Sequence, residues 1–153
     1  MLHVAIPGGD DLRLEHLVLD VNGTLTDRGR LIDGVQARLP PIRSMLALHV
    51  LSADTYGNAQ EIAAAAGATF HRVKQGDEKR AYVERLGGGR TAALGNGTND
   101  VPMLRVAALG IVVIGPEGAS AAALAAADVV AGSILTALDL LADPQALVAT
   151  LRP

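Results

Sequence analysis

The run Leu17-Val18-Leu19-Asp20-Val21-Asn22-Gly23-Thr24-Leu25-Thr26 sets an apolar stretch directly before a carboxylate, a glycine turn and two threonines. Four apolar or acid-terminated positions of this kind predict a buried strand that ends on Asp20. Leu94-Gly95-Asn96-Gly97-Thr98-Asn99-Asp100 repeats the design, an apolar run that breaks into a glycine-rich, acid-containing loop. One such strand end can present a nucleophile to a phosphoryl group, and two from the same parallel sheet can meet at a metal ion.

Between and beyond these motifs the chain alternates strand and helix patterns. Strands are predicted over 14–19, 47–51, 68–73, 91–94, 109–114 and 128–130, with 2–6 as an extra strand or hairpin arm and 26–34 as a β-flap. Helices are predicted over 33–46, bent or restarted at Pro40-Pro41, then over 58–66, stopped by Gly67, and over 78–86, capped by Asp77. Further helices follow at 101–107, 119–126, 134–141 and 145–151. Strict alternation implies an α/β fold: a three-layer, doubly wound parallel sheet of Rossmann-like type with helices on both faces. No repeat or linker divides the 153 residues, so one domain spanning 1–153 is expected.

Charges, Pro and Gly interrupt every apolar stretch before it reaches the roughly 18 to 20 residues needed to cross a bilayer. The first ten residues have no basic region and only a short apolar segment, so no secretory signal is read there and a soluble, cytoplasmic protein is expected. The absence of Cys excludes thiol nucleophiles and zinc ribbons. With net charge −3, two Tyr, one Phe and no Trp, there is neither a basic stripe nor a stacking platform, which argues against nucleic acid.

Taken alone, Asp20 is as much a turn cap as a functional group. Its neighbours favour function: Gly23 permits a tight turn, and Thr24 and Thr26 can cap it while their amides bind phosphate oxygens. Ser52 also ends an apolar run, and Asp100 follows a third. Asp54 reads as a helix cap. His3, His16, His49 and His71 lack ligand spacing and read as ordinary surface or core residues. Gly87-Gly88-Gly89 precedes a strand and lacks the lysine and serine order of a P-loop. Gly115-Pro116-Glu117-Gly118 reads as an ordinary turn on the same side of the sheet as Asp20, where it can also line a pocket.

Together these motifs resemble the haloacid dehalogenase-like superfamily, and within it the phosphorylation domain of P-type ATPases and their soluble relatives. The resemblance runs from Leu14 onward. Asp20-Val21-Asn22-Gly23-Thr24-Leu25-Thr26 is similar to its first motif, Val50-Leu51-Ser52-Ala53-Asp54 to its second, Gly76-Asp77-Glu78-Lys79 to its lysine motif and Gly95-Asn96-Gly97-Thr98-Asn99-Asp100 to its fourth. It implies that Asp20 forms an aspartyl phosphate, that Ser52 and Lys79 grip the phosphoryl oxygens, and that Gly23, Thr24, Ala53 and Asn99 help to bind the substrate. It also implies Mg²⁺ held by Asp20, the Asn22 main-chain carbonyl, Asn96 and Asp100. Lys74 competes for the lysine role, although the helix start at Asp77-Glu78 favours Lys79.

Two departures bear on activity. Phosphatases of this type have an acid two residues after the nucleophile, where this chain has Asn22; losing a general acid and base costs typically about 10² to 10⁴ in rate. Asn96 stands where the family has an aspartate ligand, so the metal site loses a negative charge. The spans before and after the second motif are filled by scaffold, which implies a capless enzyme. The expected function is a slow, Mg²⁺-dependent phosphohydrolase acting on a small phosphorylated molecule or a phosphorylated protein. A catalytically weakened phosphate-binding or regulatory module is the alternative, and a homo-oligomer that covers the open pocket is also expected.

Overall fold

A computed structural model describes residues 1–153. The chain opens with an antiparallel hairpin, β1 (Leu2–Val4) and β2 (Leu12–Leu14), in which Leu2 lies opposite Leu14. It then enters β3 (His16–Asp20), the flap strands β4 (Thr26–Asp27) and β5 (Arg30–Leu31), and helix α1 (Val35–Arg43). The single strand expected over 14–19 is therefore divided at Glu15. Leu12–Leu14 turns back onto the hairpin, whereas the Glu15 N–H already donates to the Arg90 carbonyl and its carbonyl accepts from Ala47.

Strands β6 (Ala47–Ser52) and β7 (Thr69–Arg72) flank α2 (Ala59–Ala66), which ends at Gly67 in the left-handed conformation. Next come α3 (Gly76–Leu86), β8 (Thr91–Gly95), α4 (Val101–Val106), β9 (Leu109–Val113), α5 (Ala121–Ala126), β10 (Val129–Ala131), α6 (Ile134–Ala142) and α7 (Pro144–Leu151). Six of the strands form one parallel sheet in the order β10-β9-β8-β3-β6-β7. From β3 the chain builds outward through β6 to β7, then returns to β8 and builds the other way. Strand order reverses between β3 and β8, and the carboxyl ends of strands at such a reversal open into a crevice.

Alternation along each strand divides the core. Leu17, Leu19, Val50, Leu94 and Ile111 pack beneath α1, α2, α6 and α7, while Val18, Leu51, Ala93 and Val112 pack beneath α3, α4 and α5. Both faces of β3 are thus covered, which is why its sequence reads as an unbroken apolar run.

The expected helix bounds shift by one to three residues, and the shifts in α1 and α3 have a physical reason. α1 continues through Pro40 and Pro41 and ends at Arg43; the carbonyls that lose their donors belong to Gln36 and Ala37, both exposed, so water can satisfy them. α3 begins at Gly76, and Asp77 makes no side-chain cap but lies in the first turn with Glu78, where a negative charge suits the helix dipole. The spans from β3 to β6 and from β6 to α3 hold only the flap, α1, α2 and β7, with no inserted domain. No single helix is long and apolar enough to cross a membrane.

Candidate active site

β3 and β8 run side by side with Leu19 opposite Leu94, so Asp20 and the loop after Gly95 emerge together. α3 then delivers Lys79 from the opposite layer. Its ammonium donates to Asp20 Oδ1 at 2.7 Å and to Asp100 Oδ1 at 2.6 Å. All three side chains are buried. Gly95 makes this possible, because a Cβ there would stand 2.5 Å from Asp100 Cγ. The other Asp100 oxygen accepts from the Asn96 and Gly97 amides at 2.9 and 3.0 Å, which fixes the loop.

One lysine between two carboxylates leaves an excess negative charge in a buried place. Burial first, and Asp100 second, push the Asp20 carboxyl up to about 6, against the opposing pull of Lys79. Burial disfavours the Lys79 ammonium too, but the two carboxylates outweigh it and raise its pKa. Lys79 therefore stays charged wherever Asp20 titrates.

Above this triad lies a cavity of about 200 Å³ bordered by Asp20, Asn22, Ser52, Ala53, Lys79, Asn96 and Asn99. Ser52 Oγ accepts from the Asp54 amide at 2.9 Å, which leaves its own proton free for a ligand. Asp54 caps as expected, accepting from Ala59 at the start of α2 and from Arg72. Lys74 is exposed at the rim, and it is Lys79 that reaches both carboxylates.

Three expectations change. Gly23 and Thr24 do not border the cavity: their amides donate to Thr26 and Val21 carbonyls within the turn, as does that of Thr26 to Val21, so none is left for a phosphate oxygen. Asp100 does not border it either, since its oxygens face Lys79 and two backbone amides. Glu117 does border it, although its turn reads from sequence as ordinary. The signal was available in its place after β9 on the active-site side. Away from the site, β3, β6 and β7 also gather His16, His49 and His71 near Tyr82, with His49 Nδ1 2.9 Å from the tyrosine hydroxyl.

The donor set suits a hard divalent cation. Asp20 Oδ2 and Asn96 Oδ1 lie 3.1 and 3.2 Å from the Thr24 hydroxyl, whose single proton serves only one of them. The other oxygen can then turn to a cation, and Asp20, Asn22 and Asn96, which all border the cavity, carry the oxygen atoms that Mg²⁺ prefers, the Asn22 main-chain carbonyl among them.

No family model matches the chain. An uncharacterized protein of Methanocaldococcus jannaschii is 41% identical over 88 residues, which span 53% of this chain and 95% of that protein. The chain belongs to its family. Among solved structures, the cobalt-bound deoxy-D-mannose-octulosonate 8-phosphate phosphatase of Haemophilus influenzae superposes with a TM-score of 0.71 at 16% identity, covering 92% of this chain and 94% of that one. The 3-deoxy-D-manno-octulosonate 8-phosphate phosphatase of Moraxella catarrhalis, in complex with magnesium, phosphate and KDO, gives 0.64 at 20% identity over 91% and 94%. A zinc-transporting PIB-type ATPase gives 0.63 at 23% identity, but the match spans 78% of this chain and only 20% of that one. The fold is that of the haloacid dehalogenase-like hydrolases, without a cap.

Proposed function

We propose that the chain is a phosphohydrolase that acts on a phosphomonoester through an aspartyl phosphate at Asp20. The observation that supports this most is the Lys79 ammonium seated between Asp20 and Asp100 beneath the polar cavity. Asp20, Asn22 and Asn96 would hold Mg²⁺, which when bound supplies positive charge against the phosphoryl oxygens.

In the first half-reaction an Asp20 oxygen bonds to phosphorus as the ester P–O bond breaks and the alkoxide departs. Lys79 favours the ionised nucleophile, and the oriented Ser52 hydroxyl donates to a phosphoryl oxygen. Water then bonds to the same phosphorus, the bond to Asp20 breaks, and phosphate leaves. Asn22 borders the cavity at the position of the usual acid, but its amide can neither protonate the alkoxide nor take the proton from water. Both proton transfers fall to solvent or substrate, so turnover is slow. The uncapped cavity admits either a small phosphorylated molecule or a phosphorylated side chain.

The test is phosphate release from an aryl phosphate with Mg²⁺, by the wild type and by Asp20→Asn, with mass-spectrometric detection of phosphorylated Asp20. Activity confined to the wild type is expected, since an amide cannot form the covalent intermediate. Equal activity in both would falsify the nucleophile. Phosphate binding with neither turnover nor labelled Asp20 would favour the second reading, a phosphate-binding regulatory module, for which the amides at Asn22 and Asn96 argue.

A further inference from the structure

We infer that Glu117 supplies the second carboxylate of the cation site, replacing the one that Asn96 lacks. The inference rests on the phosphohydrolase reading of the cavity. Glu117 borders that cavity with Asp20, Asn22 and Asn96, and no ion pair engages it. Its carboxylate comes down over the turn that follows Asp20: a Cβ on Gly23 would stand 2.5 Å from Glu117 Oε2 and 2.7 Å from Asn96 Nδ2. Glu117 Oε2 and Asn96 Nδ2 thus both stand over Gly23, three residues past the nucleophile.

The turn that carries Glu117 is held there. Gly118 donates to the Gly115 carbonyl at 2.9 Å, and Pro116 fixes the first central position. Gly115 packs so closely on the Gly23 carbonyl that no Cβ would fit. Asn96 pins the far side, with Nδ2 donating to the Gly118 carbonyl at 3.2 Å and its own carbonyl accepting from Ser120 at 2.9 Å.

An aspartate at position 96 would not do this. It would set a carboxylate oxygen against the Gly118 carbonyl and a second negative charge beside Glu117. The amide removes a charge from the site but fixes the turn, and the turn returns a charge. The negative charge that a divalent cation favours has passed from position 96 to Glu117, while Asn96 keeps an oxygen at the site and positions the turn through its Nδ2.

Magnesium binding measured by calorimetry tests this without reference to turnover. Glu117 is exposed, so Glu117→Gln should fold with an unchanged melting temperature in the absence of metal. It should bind Mg²⁺ about tenfold more weakly than the wild type, the lower end of losses seen when groups around a metal site are altered. Asn96→Asp combined with Glu117→Gln should bind more tightly than Glu117→Gln alone, because one carboxylate is restored.

Wild-type affinity in Glu117→Gln, or no recovery in the double variant, would overturn this transfer of charge while leaving the cation site in place. A loss of the same size in Asp77→Asn, an exposed acid on α3, would reduce the effect to surface charge and overturn it too. No Mg²⁺ binding by the wild type would instead remove the site itself, and the role of Glu117 with it.

Discussion

Lys79 and Asp100 form a buried ion pair, Nζ to Oδ1, 2.6 Å apart. The pair is neutral and both of its partners come from scaffold held by other contacts, α3 on one side and the Asn96 and Gly97 amides on the other. Asp20 is the third member and the unbalanced one.

Asp20→Asn is accordingly expected to inactivate the protein and stabilise it. The amide keeps an acceptor for Lys79, removes the repulsion from Asp100, and can donate to Thr24 Oγ, which frees the threonine proton for Asn96. The gain at pH 7 without divalent cations should be on the order of 1 to 3 kcal/mol, bounded by what a two-unit carboxyl shift represents. Urea unfolding of both proteins in chelator would show it, and a less stable variant would contradict the account of the triad.

Lys79→Met should do the opposite. It leaves two buried carboxylates facing each other without a cation, and breaking a buried pair in this way typically costs about 3 to 5 kcal/mol. The same unfolding experiment reads it. A loss below about 1 kcal/mol would mean that water reaches the triad freely.

The stabilisation from Asp20→Asn should depend on pH with a definite sign. Asp20 is raised in the fold from 3.8 to about 6, so its protonated form is the one the fold prefers. It costs nothing below pH 3.8; the penalty grows as pH rises toward 6 and levels off above it. The stability difference between variant and wild type should therefore widen from pH 4 to 6.5 and then stay flat. Saturating Mg²⁺ should narrow it, since a ligand of the folded wild type stabilises that state alone.

The strand ends were legible because burial on both faces leaves an unbroken apolar run, and the residue that breaks it, Asp20, Ser52 or Gly95, is the last of its strand. Lys79 was legible from its helix start. Contacts between side chains were not. Nothing local in Asn96-Gly97-Thr98-Asn99-Asp100 says that Asp100 folds back under Gly95 toward the lysine while Asn96 faces the cavity; that follows from α3 lying across the loop. The amides of Gly23 and Thr24 looked available because a glycine-threonine turn can present them outward, and only the closed turn shows them consumed by Val21 and Thr26. The packing of three histidines against one another was hidden for a similar reason: their separations reflect crossovers between neighbouring parallel strands.

Restoring a carboxylate at Asn22 separates an attenuated phosphatase from a binding module. Asn22 borders the cavity beside Asp20, so Asn22→Asp places an acid and base within reach of both the leaving oxygen and the attacking water. Hydrolysis of an activated aryl phosphate should quicken, chiefly in the step that clears the aspartyl phosphate. The gain can approach about 10² and should fall short of the full range for general acid and base catalysis, because the surrounding groups were not built to hold that carboxyl at a useful pKa. By the same reasoning the wild type should accumulate phosphorylated Asp20 and release a burst of the phenol before a slow steady state, and Asn22→Asp should lose the burst. Stopped-flow absorbance with a nitrophenyl phosphate reads both phases. A variant no faster than the wild type, together with a wild type that shows no burst, would mean that proton transfer is not what limits this site, and the phosphate-binding reading would take its place.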